Sequence, residues 1–304
     1  MNPLYPLCFT PISVERVWGK ERWILSGLEG SNSVVSNGFL SDNEINELIE
    51  VYMDDLVGAS AYRKFSNEFP LLVKILHITD YLSFQVHPAD EIAKVRHNAY
   101  GKAELWYVLD AAPQATLFLG FNRHLTPAEF KQRCLNQTLP EVMHECTPRP
   151  GDHYYIPPGT VHAAGGGLVV AEVQQVSDIT YRVYDWGREF HKETARELHT
   201  DLALDVINWT PFNPADPQRD DPEKNVETPW FHLTKKTLTT PLTQSNILES
   251  GFRLLICAEG AVRVYANQDV RLQKGDLSLI PAAISQYTIT SEGPSAVVLE
   301  VWIP

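Results

Sequence analysis

The sequence predicts a mainly β protein with a few helices, built from two similar blocks of short strands. Short runs rich in β-branched and aromatic residues follow one another closely, turn residues bound most of them, and one motif occurs in both blocks. Many short strands at close spacing are typical of a sandwich or barrel rather than of a parallel α/β sheet. The length of 304 residues is consistent with about two domains of ~150 residues each.

The predicted strands form two groups, separated by segment 208–229, which contains five prolines and several charged residues. Such a segment is typical of an irregular linker or a covering loop. The predicted strands are 71–76, 81–87, 104–109, 115–121, 153–157, 168–176 and 179–186 before it, and 252–258, 261–266, 276–281 and 296–304 after it. We therefore expect a first domain over 1–207, a linker or covering loop over 208–235 and a second domain over 236–304.

Two helices are predicted in the first block. Ser41 and Glu44 have the spacing of a capping box, and apolar residues then recur at helical spacing, which predicts a helix over about 42–56. The run Thr126-Pro-Ala-Glu129 repeats the start signal with proline at the first helical position, and predicts a short helix to about Leu135.

Charge and cysteine usage exclude several classes of protein. The formal net charge is −13, which argues against a protein that wraps duplex nucleic acid or lies on an anionic membrane. A small anionic ligand stays compatible, because a few local cations are enough to bind one. The four cysteines are scattered, the N-terminus lacks the pattern of a signal peptide and no apolar run would span a bilayer, so we expect a soluble cytoplasmic protein. The oligomeric state is left open.

A glycine–aspartate motif recurs at the same spacing in both blocks. In the first block, Gly151-Asp152 is followed by strand residues, by Pro157 and then by His162. This pattern resembles the second motif of the cupin superfamily, and two matches in one chain predict two related barrels.

The second block lacks the polar residues of the first. Its Gly275-Asp276 is followed by Pro281, but Gln286 stands at the offset of the histidine. Aligning Gly101 with Gly251 in the preceding strands places Leu254 opposite Glu104. We therefore expect a metal site in the first barrel only.

Four residues of the first block form a candidate metal site. Gln85 and His87 lie two apart on a predicted strand and so project to one face, while Glu104 and His162 lie on later strands or strand ends. The alternative is two ordinary barrel histidines and a surface carboxylate. A glutamate inside the apolar run around Leu105 would be costly to bury without a partner, however, and a metal removes that cost. Zinc is the leading metal, at one ion per chain, with manganese, cobalt or iron as alternatives.

Five motifs in a fixed order resemble the type I mannose-6-phosphate isomerases, in the short bacterial form that lacks a long inserted domain. They are FPLLVKIL, LSFQVHP, GKAELWYVL, GDHYYIPPGTVHA and ITYRVYDWGR. The resemblance covers nearly the whole chain and implies two cupin-like jelly-roll barrels and a zinc enzyme that interconverts mannose 6-phosphate and fructose 6-phosphate. It places the zinc ligands on Gln85, His87, Glu104 and His162, and it implies a C-terminal barrel without metal.

The resemblance also assigns residues to the substrate. The family's active-site arginine falls on Arg182, and family positions in or near the substrate pocket fall on Lys74, Ser83 and Lys102. Glu172 matches an acidic position. The residues themselves suggest that Trp18 walls the pocket, with core packing as the equal alternative.

The chemistry leaves the catalytic base open. Moving a proton between C1 and C2 through a cis-enediolate needs a base close to the migrating proton. The candidates are Glu172, Lys102 and a water bound at the metal. Arg182 does not readily deprotonate, so its expected role is to stabilise the enediolate or to orient the substrate.

Three other functions compete with this isomerase. One is an isomerase of a different sugar phosphate, and another is a cupin oxygenase, against which the amide ligand Gln85 argues. The third is a non-catalytic sugar-phosphate-binding module on the same scaffold. A sensor of that kind could lose Arg182 or Glu104, yet this chain carries both.

Overall fold

The structure, a computed structural model, describes residues 3–193, 195–212, 225–245 and 251–304. The α-helices in these segments are α1 (Ile45–Val57), α2 (Ala59–Phe65), α3 (Asp90–His97), α4 (Pro127–Leu135) and α5 (Thr200–Leu204). The strands are β1 (Phe9–Thr10), β2 (Ile12–Arg16), β3 (Gly19–Ser26), β4 (Val34–Val35), β5 (Leu71–Ile78), β6 (Phe84–Val86), β7 (Glu104–Ala111), β8 (Thr116–Phe121), β9 (Met143–Cys146), β10 (His153–Ile156), β11 (His162–Gly165), β12 (Leu168–Gln175), β13 (Tyr181–Tyr184), β14 (Asn225–Glu227), β15 (His232–Leu238), β16 (Leu242–Ser245), β17 (Arg253–Glu259), β18 (Ala261–Tyr265), β19 (Asp269–Gln273), β20 (Leu277–Ile280), β21 (Gln286–Ser291) and β22 (Ala296–Trp302).

The mainly β prediction is confirmed, and each predicted strand coincides with an observed one. The strand expected over 81–87 is shorter, because regular pairing is confined to Phe84–Val86. The helix expected after Thr126 is α4, whose first turn is capped by the Thr126 hydroxyl, which accepts a hydrogen bond from the Glu129 amide. Of the predicted linker, residues 213–224 lie outside the described part of the chain.

The start of the first helix differs from the prediction. Helix α1 begins at Ile45 rather than near 42, and its capping box is formed by Glu44 and Glu47. The Ser41 hydroxyl instead donates to the carbonyl of Gly38, in a 3₁₀ turn, at 3.0 Å. Asp42 has a φ of 71°, in the left-handed region, so the regular right-handed helix begins after it.

The described residues form two compact units that are each discontinuous in sequence. The central unit contains residues 13–21, 75–193 and 195–212, and the terminal unit contains residues 3–12, 22–74, 225–245 and 251–304. These two compact units differ from the division into consecutive domains that the sequence predicted. The division into domains over 1–207 and 236–304 with a linker over 208–235 stays a prediction.

Two sheets carry the polar residues of the predicted site. One has the strand order β10-β7-β12-β5-β3-β2, and the other has the order β13-β6-β11-β8-β9. Side chains alternate between the faces of a strand, so each sheet has two different surfaces. An apolar core joins the inner faces of the two sheets and includes Trp106, Leu119 and Ile156. The outer face of the second sheet packs through Phe84 and Phe118 against helices α4 and α5.

The terminal unit repeats the arrangement of two sheets around an apolar core. Its sheets have the strand orders β14-β15-β22-β17-β20 and β16-β21-β18-β19, and the buried side chains of Leu255, Val264 and Ile289 lie between them. The hydrophobic patterning of the second block thus produces a core of its own, as the two-block interpretation requires. Within the described residues, no helix combines the length and the apolar character needed to cross a bilayer.

Candidate metal centre

Strand pairing brings the predicted ligands together at the inner surface of the central unit. In the second sheet, Arg182, Gln85 and His162 lie opposite one another on β13, β6 and β11. Directly opposed residues of an antiparallel pair project to the same face, so these three side chains form one row. His87 follows β6, and Glu104 begins β7. Because side chains alternate along a strand, the four predicted ligands project to the inner surface although they are scattered in the sequence.

The ligand atoms of the two histidines and the glutamate converge on one point. His162 Nε2 lies 2.9 Å from Glu104 Oε1, and His87 Nε2 lies 3.5 Å from Glu104 Oε2. All three candidate ligand atoms lie within 4.8 Å of one another, and all three residues are buried. The Gln85 amide Nε2 lies 3.1 Å from His162 Nε2, and a rotation of the amide by half a turn would present its oxygen there instead.

The hydrogen bonds of both imidazoles fix which nitrogen faces the centre. His87 Nδ1 lies 2.8 Å from the carbonyl oxygen of Ile179, and His162 Nδ1 lies 2.9 Å from that of Thr160. A carbonyl oxygen only accepts, so both Nδ1 atoms donate, and in the neutral rings both Nε2 atoms carry a lone pair. This is the orientation that metal-binding histidines adopt.

The centre therefore concentrates hydrogen-bond acceptors with too few donors. Both carboxylate oxygens of Glu104 are fully buried and accept no hydrogen bond of good geometry from the described residues. A buried carboxylate is costly unless cations compensate it. The Lys102 ammonium, 3.1 Å from Oε2, supplies one such charge, and a metal ion would supply another. One carboxylate, two imidazole nitrogens and an amide oxygen are a donor set for a divalent ion such as zinc. The residues present fit a metal ion.

Charge favours the ligand forms of these groups. Burial, together with the ammonium of Lys102, lowers the pKa of His87 to about 3, so its ring is neutral at pH 7. Burial alone would raise the pKa of Glu104, but the ammonium of Lys102 holds it well below its usual value. The site therefore offers neutral imidazole and ionised carboxylate, the forms that bind a metal.

Lys102 lies beside the ligands, as its spacing from Glu104 predicted. Its Nζ is 3.1 Å from Glu104 Oε2 and 3.3 Å from His87 Nε2. Burial would lower the pKa of Lys102, but the carboxylates of Glu104 and Glu172 raise it above its usual value. The side chain is thus a buried ammonium that faces the centre.

Arg182 borders the same centre through its row with Gln85. Its Nε donates to Ser83 Oγ at 3.3 Å, and its Nη1 donates to the carbonyl of Glu197 at 2.9 Å. The structure therefore brings Ser83 and Arg182 into direct contact, two residues that are far apart in sequence. Burial, and then the nearby Arg196, lowers the pKa of Arg182 from a very high starting value, so the guanidinium stays charged.

Glu172 lies one row along from Glu104 on the neighbouring strand. It pairs with Trp106, and Gln174 pairs with Glu104, so the two carboxylates project to the same face. Trp106 Nε1 donates to Glu172 Oε2 at 2.8 Å, and the carboxylate is 2% exposed. A buried carboxylate thus stands on the site face outside the candidate ligand set.

The remaining predicted residues lie in other surroundings. Trp18 is buried in the apolar core of the central unit, and its carbonyl accepts the backbone amides of Thr79 and Asp80. Lys74 lies in the terminal unit, buried, with Nζ 5.4 Å from the ring centroid of Trp23. Their assignment to the substrate stays a prediction.

Strand register gives a different counterpart for Glu104 in the second block. Ile156, five residues after Gly151, pairs with Glu104, and Ile280, five residues after Gly275, pairs with Arg253. The residue at the position of Glu104 is therefore Arg253 rather than Leu254, because the sequence alignment was out of register by one. A guanidinium cannot ligate a metal cation, so this position carries no ligand.

Sequence reasoning missed the residues that hold the ligand loops. Gln175 accepts from the amide of Ala103 through Oε1 and donates to Asp90 Oδ1 through Nε2, both at 2.9 Å. The same Asp90 oxygen accepts from the amide of Gly101 at 2.8 Å. The segment before Glu104 is thereby tied to the start of α3, three residues after His87. Helix α3 was not predicted from the sequence, so no local signal indicated this arrangement.

Comparison with known proteins gives one consistent family. A family model described as the catalytic domain of type I phosphomannose isomerase matches residues 16–114. Mannose-6-phosphate isomerase ManA of Bacillus subtilis (strain 168) is 31% identical over 312 positions, which cover 93% of this chain and 95% of that protein. Mannose-6-phosphate isomerase of Streptococcus mutans serotype c (strain ATCC 700610 / UA159) is 30% identical over 272 positions, covering 88% and 84%.

Solved structures agree with these relatives. The crystal structure of the mannose 6-phosphate isomerase from Bacillus subtilis matches with a TM-score of 0.84 at 25% identity, over 98% of this chain and 99% of that one. A mutant of phosphomannose isomerase from Salmonella typhimurium matches with a TM-score of 0.77 at 16% identity, over 98% and 100%, and supports the fold alone. The family resemblance carried by the five sequence motifs is thereby confirmed. The chain belongs to the type I phosphomannose isomerase family.

Proposed function

We propose that this chain is a metal-dependent aldose–ketose isomerase that interconverts mannose 6-phosphate and fructose 6-phosphate through a cis-enediolate. The observation that carries the proposal is the buried cluster of acceptor atoms on Glu104, His87 and His162, bordered by two cations, Lys102 and Arg182. This arrangement suits a metal and a developing negative charge. Relatives that match nearly the whole chain are named for this activity.

The metal would be held by Gln85, His87, Glu104 and His162. When bound, a divalent ion polarises carbonyl and hydroxyl oxygens of a substrate and so lowers the cost of the enediolate charge. The nitrogen and oxygen ligands favour zinc, with manganese, cobalt or iron as alternatives. One ion per chain is proposed, because the counterpart of Glu104 in the second block is Arg253.

Two cations act on the oxygens of the substrate in this proposal. Lys102 is held as an ammonium by neighbouring carboxylates, so it donates a hydrogen bond or a proton rather than accepting one. Arg182 keeps its charge and has an anchored guanidinium, which suits it to orient the substrate and to stabilise the enediolate. Both roles use positive charge that is fixed before the substrate arrives.

We assign the transfer of the proton between C1 and C2 to Glu172. Of the three candidates, Lys102 is disfavoured because its pKa is raised. Glu172 is a buried carboxylate on the face of the metal ligands, oriented by the Trp106 indole. A water at the metal is the competing base. The Glu172→Gln variant separates the two, because it would stop exchange of the migrating hydrogen with deuterated solvent only if Glu172 carries that proton.

The remaining parts of the proposal concern the phosphate, the fold and the setting. We propose that Ser83 contacts the substrate phosphate from the central unit. The role of Lys74 toward the substrate, and that of Trp18 as pocket wall or core residue, stay proposals from the sequence. We also interpret the two pairs of sheets as two cupin-like barrels that arose by duplication, in keeping with the repeated glycine–aspartate motif. A cytoplasmic location and the absence of nucleic-acid and membrane partners stay predictions from composition.

The test is an assay of the purified chain with alternative substrates. Mannose 6-phosphate should be converted to fructose 6-phosphate, and removal of the metal with a chelator should abolish this turnover until zinc is added back. Glucose 6-phosphate and ribose 5-phosphate are the controls for other sugar-phosphate isomerases. Turnover of a control sugar but not of mannose 6-phosphate would show that the chain is an isomerase of a different sugar phosphate. Binding of mannose 6-phosphate without turnover would favour the non-catalytic module.

A further inference from the structure

The guanidinium of Arg182 is oriented by two acceptors from distant parts of the central unit. These are Ser83 Oγ, at 3.3 Å from Nε, and the carbonyl oxygen of Glu197, at 2.9 Å from Nη1. Segment 197–199 also contacts the backbone of Arg182, since the amide of His199 donates to the Arg182 carbonyl at 2.7 Å. The direction of the guanidinium therefore depends on where Ser83 and Glu197 are held.

Asp185 holds the Glu197 side of this arrangement. Its carboxylate has no exposed surface and receives a two-pronged contact from Arg196, with Nε 2.9 Å from Oδ2 and Nη2 2.5 Å from Oδ1. Paired contacts of this kind fix orientation as well as distance. Arg196 immediately precedes Glu197, so the ion pair fixes the chain at the residue before the carbonyl that Arg182 uses. Asp185 itself lies three residues after Arg182.

Trp186 holds the Ser83 side. Its indole Nε1 donates to the carbonyl oxygen of Leu82 at 2.7 Å, and that carbonyl belongs to the peptide bond that leads into Ser83. Trp186 has a φ of 58°, in the left-handed region that a bulky side chain rarely adopts. Its ring packs 4.4 Å from Tyr81 and 5.1 Å from Phe84, measured between ring centroids. The surrounding contacts thus maintain an unfavourable backbone conformation that aims the indole at this peptide.

We propose that Asp185 and Trp186 are positioning residues, which hold the two acceptors of Arg182 and thereby set the direction of its guanidinium toward the metal centre. The inference rests on the proposed function, because it takes Arg182 to stabilise the enediolate. Neither residue needs to touch the substrate. Their effect reaches the reaction through Arg182 alone.

A matched pair of variants tests whether Asp185, through Arg196, holds the Glu197 carbonyl in place. Arg188 is the second guanidinium on Asp185, with Nη2 2.8 Å from Oδ1, but it continues to Asp80 and the Tyr81 carbonyl rather than to Glu197. Arg196→Met and Arg188→Met each remove one cation from the same carboxylate. We expect Arg196→Met to lower kcat about tenfold, or about 1.4 kcal/mol, at unchanged KM and metal content. Arg188→Met should lower kcat clearly less than Arg196→Met does, while losing similar thermal stability.

Two further measurements separate positioning from general damage. In an Arg182→Lys background, adding Arg196→Met should change kcat by less than about twofold, because coupled residues are not additive. Trp186→Phe keeps an aromatic ring and loses the indole N–H, and it should lower kcat several-fold with the metal retained. If Arg196→Met fails to fold, Trp186→Phe decides the question.

The outcomes distinguish this inference from the proposed function. A wild-type chain that does not isomerise mannose 6-phosphate would overturn the proposed function. A wild-type chain that turns over, with equal kcat in Arg196→Met and Arg188→Met, would overturn only the positioning role of Asp185. Equal kcat in Trp186→Phe and wild type would do the same for Trp186.

Discussion

Nε2 of His162 and Oε1 of Glu104 face each other at the candidate metal centre. His162 Nε2 lies 2.9 Å from Glu104 Oε1, while the other ring nitrogen donates to the carbonyl of Thr160. Two acceptors at this distance repel unless a proton or a cation lies between them. With a neutral ring, this pair of acceptors is the clearest structural sign of a metal in the central unit.

Loss of the Glu104 charge should cost most of the metal affinity. Glu104→Gln keeps the shape of the side chain but removes the only carboxylate in the proposed ligand set. We expect the affinity for zinc to fall by more than the roughly 10–100-fold typical of a residue that only orients a ligand. Metal analysis after dialysis against a weak chelator would measure this. Glu145→Gln, on the exposed edge of β9, is the control, and equal metal content in both variants would contradict the ligand assignment.

Removal of the Lys102 ammonium should leave the metal bound or tighten its binding. The ammonium lies 3.1 Å from Glu104 Oε2 and so competes with a divalent cation for the same carboxylate. Lys102→Met should therefore retain zinc in a competition with a chromogenic chelator, yet lose most of kcat. Lys102→Arg keeps the charge and is the matched comparison. Loss of zinc from Lys102→Met would move this lysine to a structural role.

Arg182 should matter to turnover and not to folding or metal content. Its guanidinium is anchored on Ser83 and on the carbonyl of Glu197, which are outside the candidate ligand set. We expect Arg182→Ala to bind zinc and to unfold near the wild-type temperature, with kcat lower by about 10²–10³, as for removal of one preorganised donor. A variant that has lost its zinc would show instead that Arg182 supports the site structurally.

A methyl group at Gly101 should disturb the metal centre from the backbone side. A Cβ there would lie 2.6 Å from the amide nitrogen of Asp90 and 2.9 Å from the carbonyl of Pro88. Because these are backbone atoms, the segments that carry Lys102 and His87 would have to separate. We expect Gly101→Ala to cost about 1–3 kcal/mol of unfolding free energy and to weaken zinc binding. Gly293→Ala, whose Cβ meets nothing nearer than 4.0 Å, is the control, and equal melting temperatures would contradict the packing argument.

The buried Asp185 should make part of the stability sensitive to acid. Burial alone would raise the pKa of this carboxyl, but the guanidinium groups of Arg196 and Arg188 hold it below its usual value of about 3.9. A depressed pKa stabilises the fold above the unfolded value, and that contribution is lost as the pH falls through the folded value. The difference in unfolding free energy between wild type and Asp185→Asn should therefore shrink as the pH is lowered from about 5 to 3. Urea titrations across this range would measure it, and a constant difference would contradict the ion pairs.

The candidate ligands could be selected from the sequence because each is tied to a local pattern. Gln85 and His87 share a strand face, and His162 stands at a fixed offset from a glycine–aspartate turn. The strands themselves followed from short apolar runs between turn residues. Each of these patterns depends on only a few neighbouring residues, so it can be recognised without knowing how distant strands pair.

The supporting contacts could not be predicted in this way. Asp90 and Gln175 are 85 residues apart in sequence. Asp185 and Arg196 form a buried ion pair, and no hydrophobic periodicity or motif in the sequence indicates it. The one-residue error that placed Leu254 opposite Glu104 has the same origin. The register of two strands depends on their pairing partners, and a strand shifted by one residue exchanges its faces.

Titration of zinc into metal-free protein, with fructose 6-phosphate formation followed on the same samples, tests the central claim most directly. The account predicts no turnover without metal, and activity that rises in proportion to bound zinc and stops rising at one equivalent per chain. Glu104→Gln should show neither zinc binding at one equivalent nor the rise in activity. Full turnover in the thoroughly metal-free chain, or activity unrelated to the zinc bound at Glu104, would contradict the account.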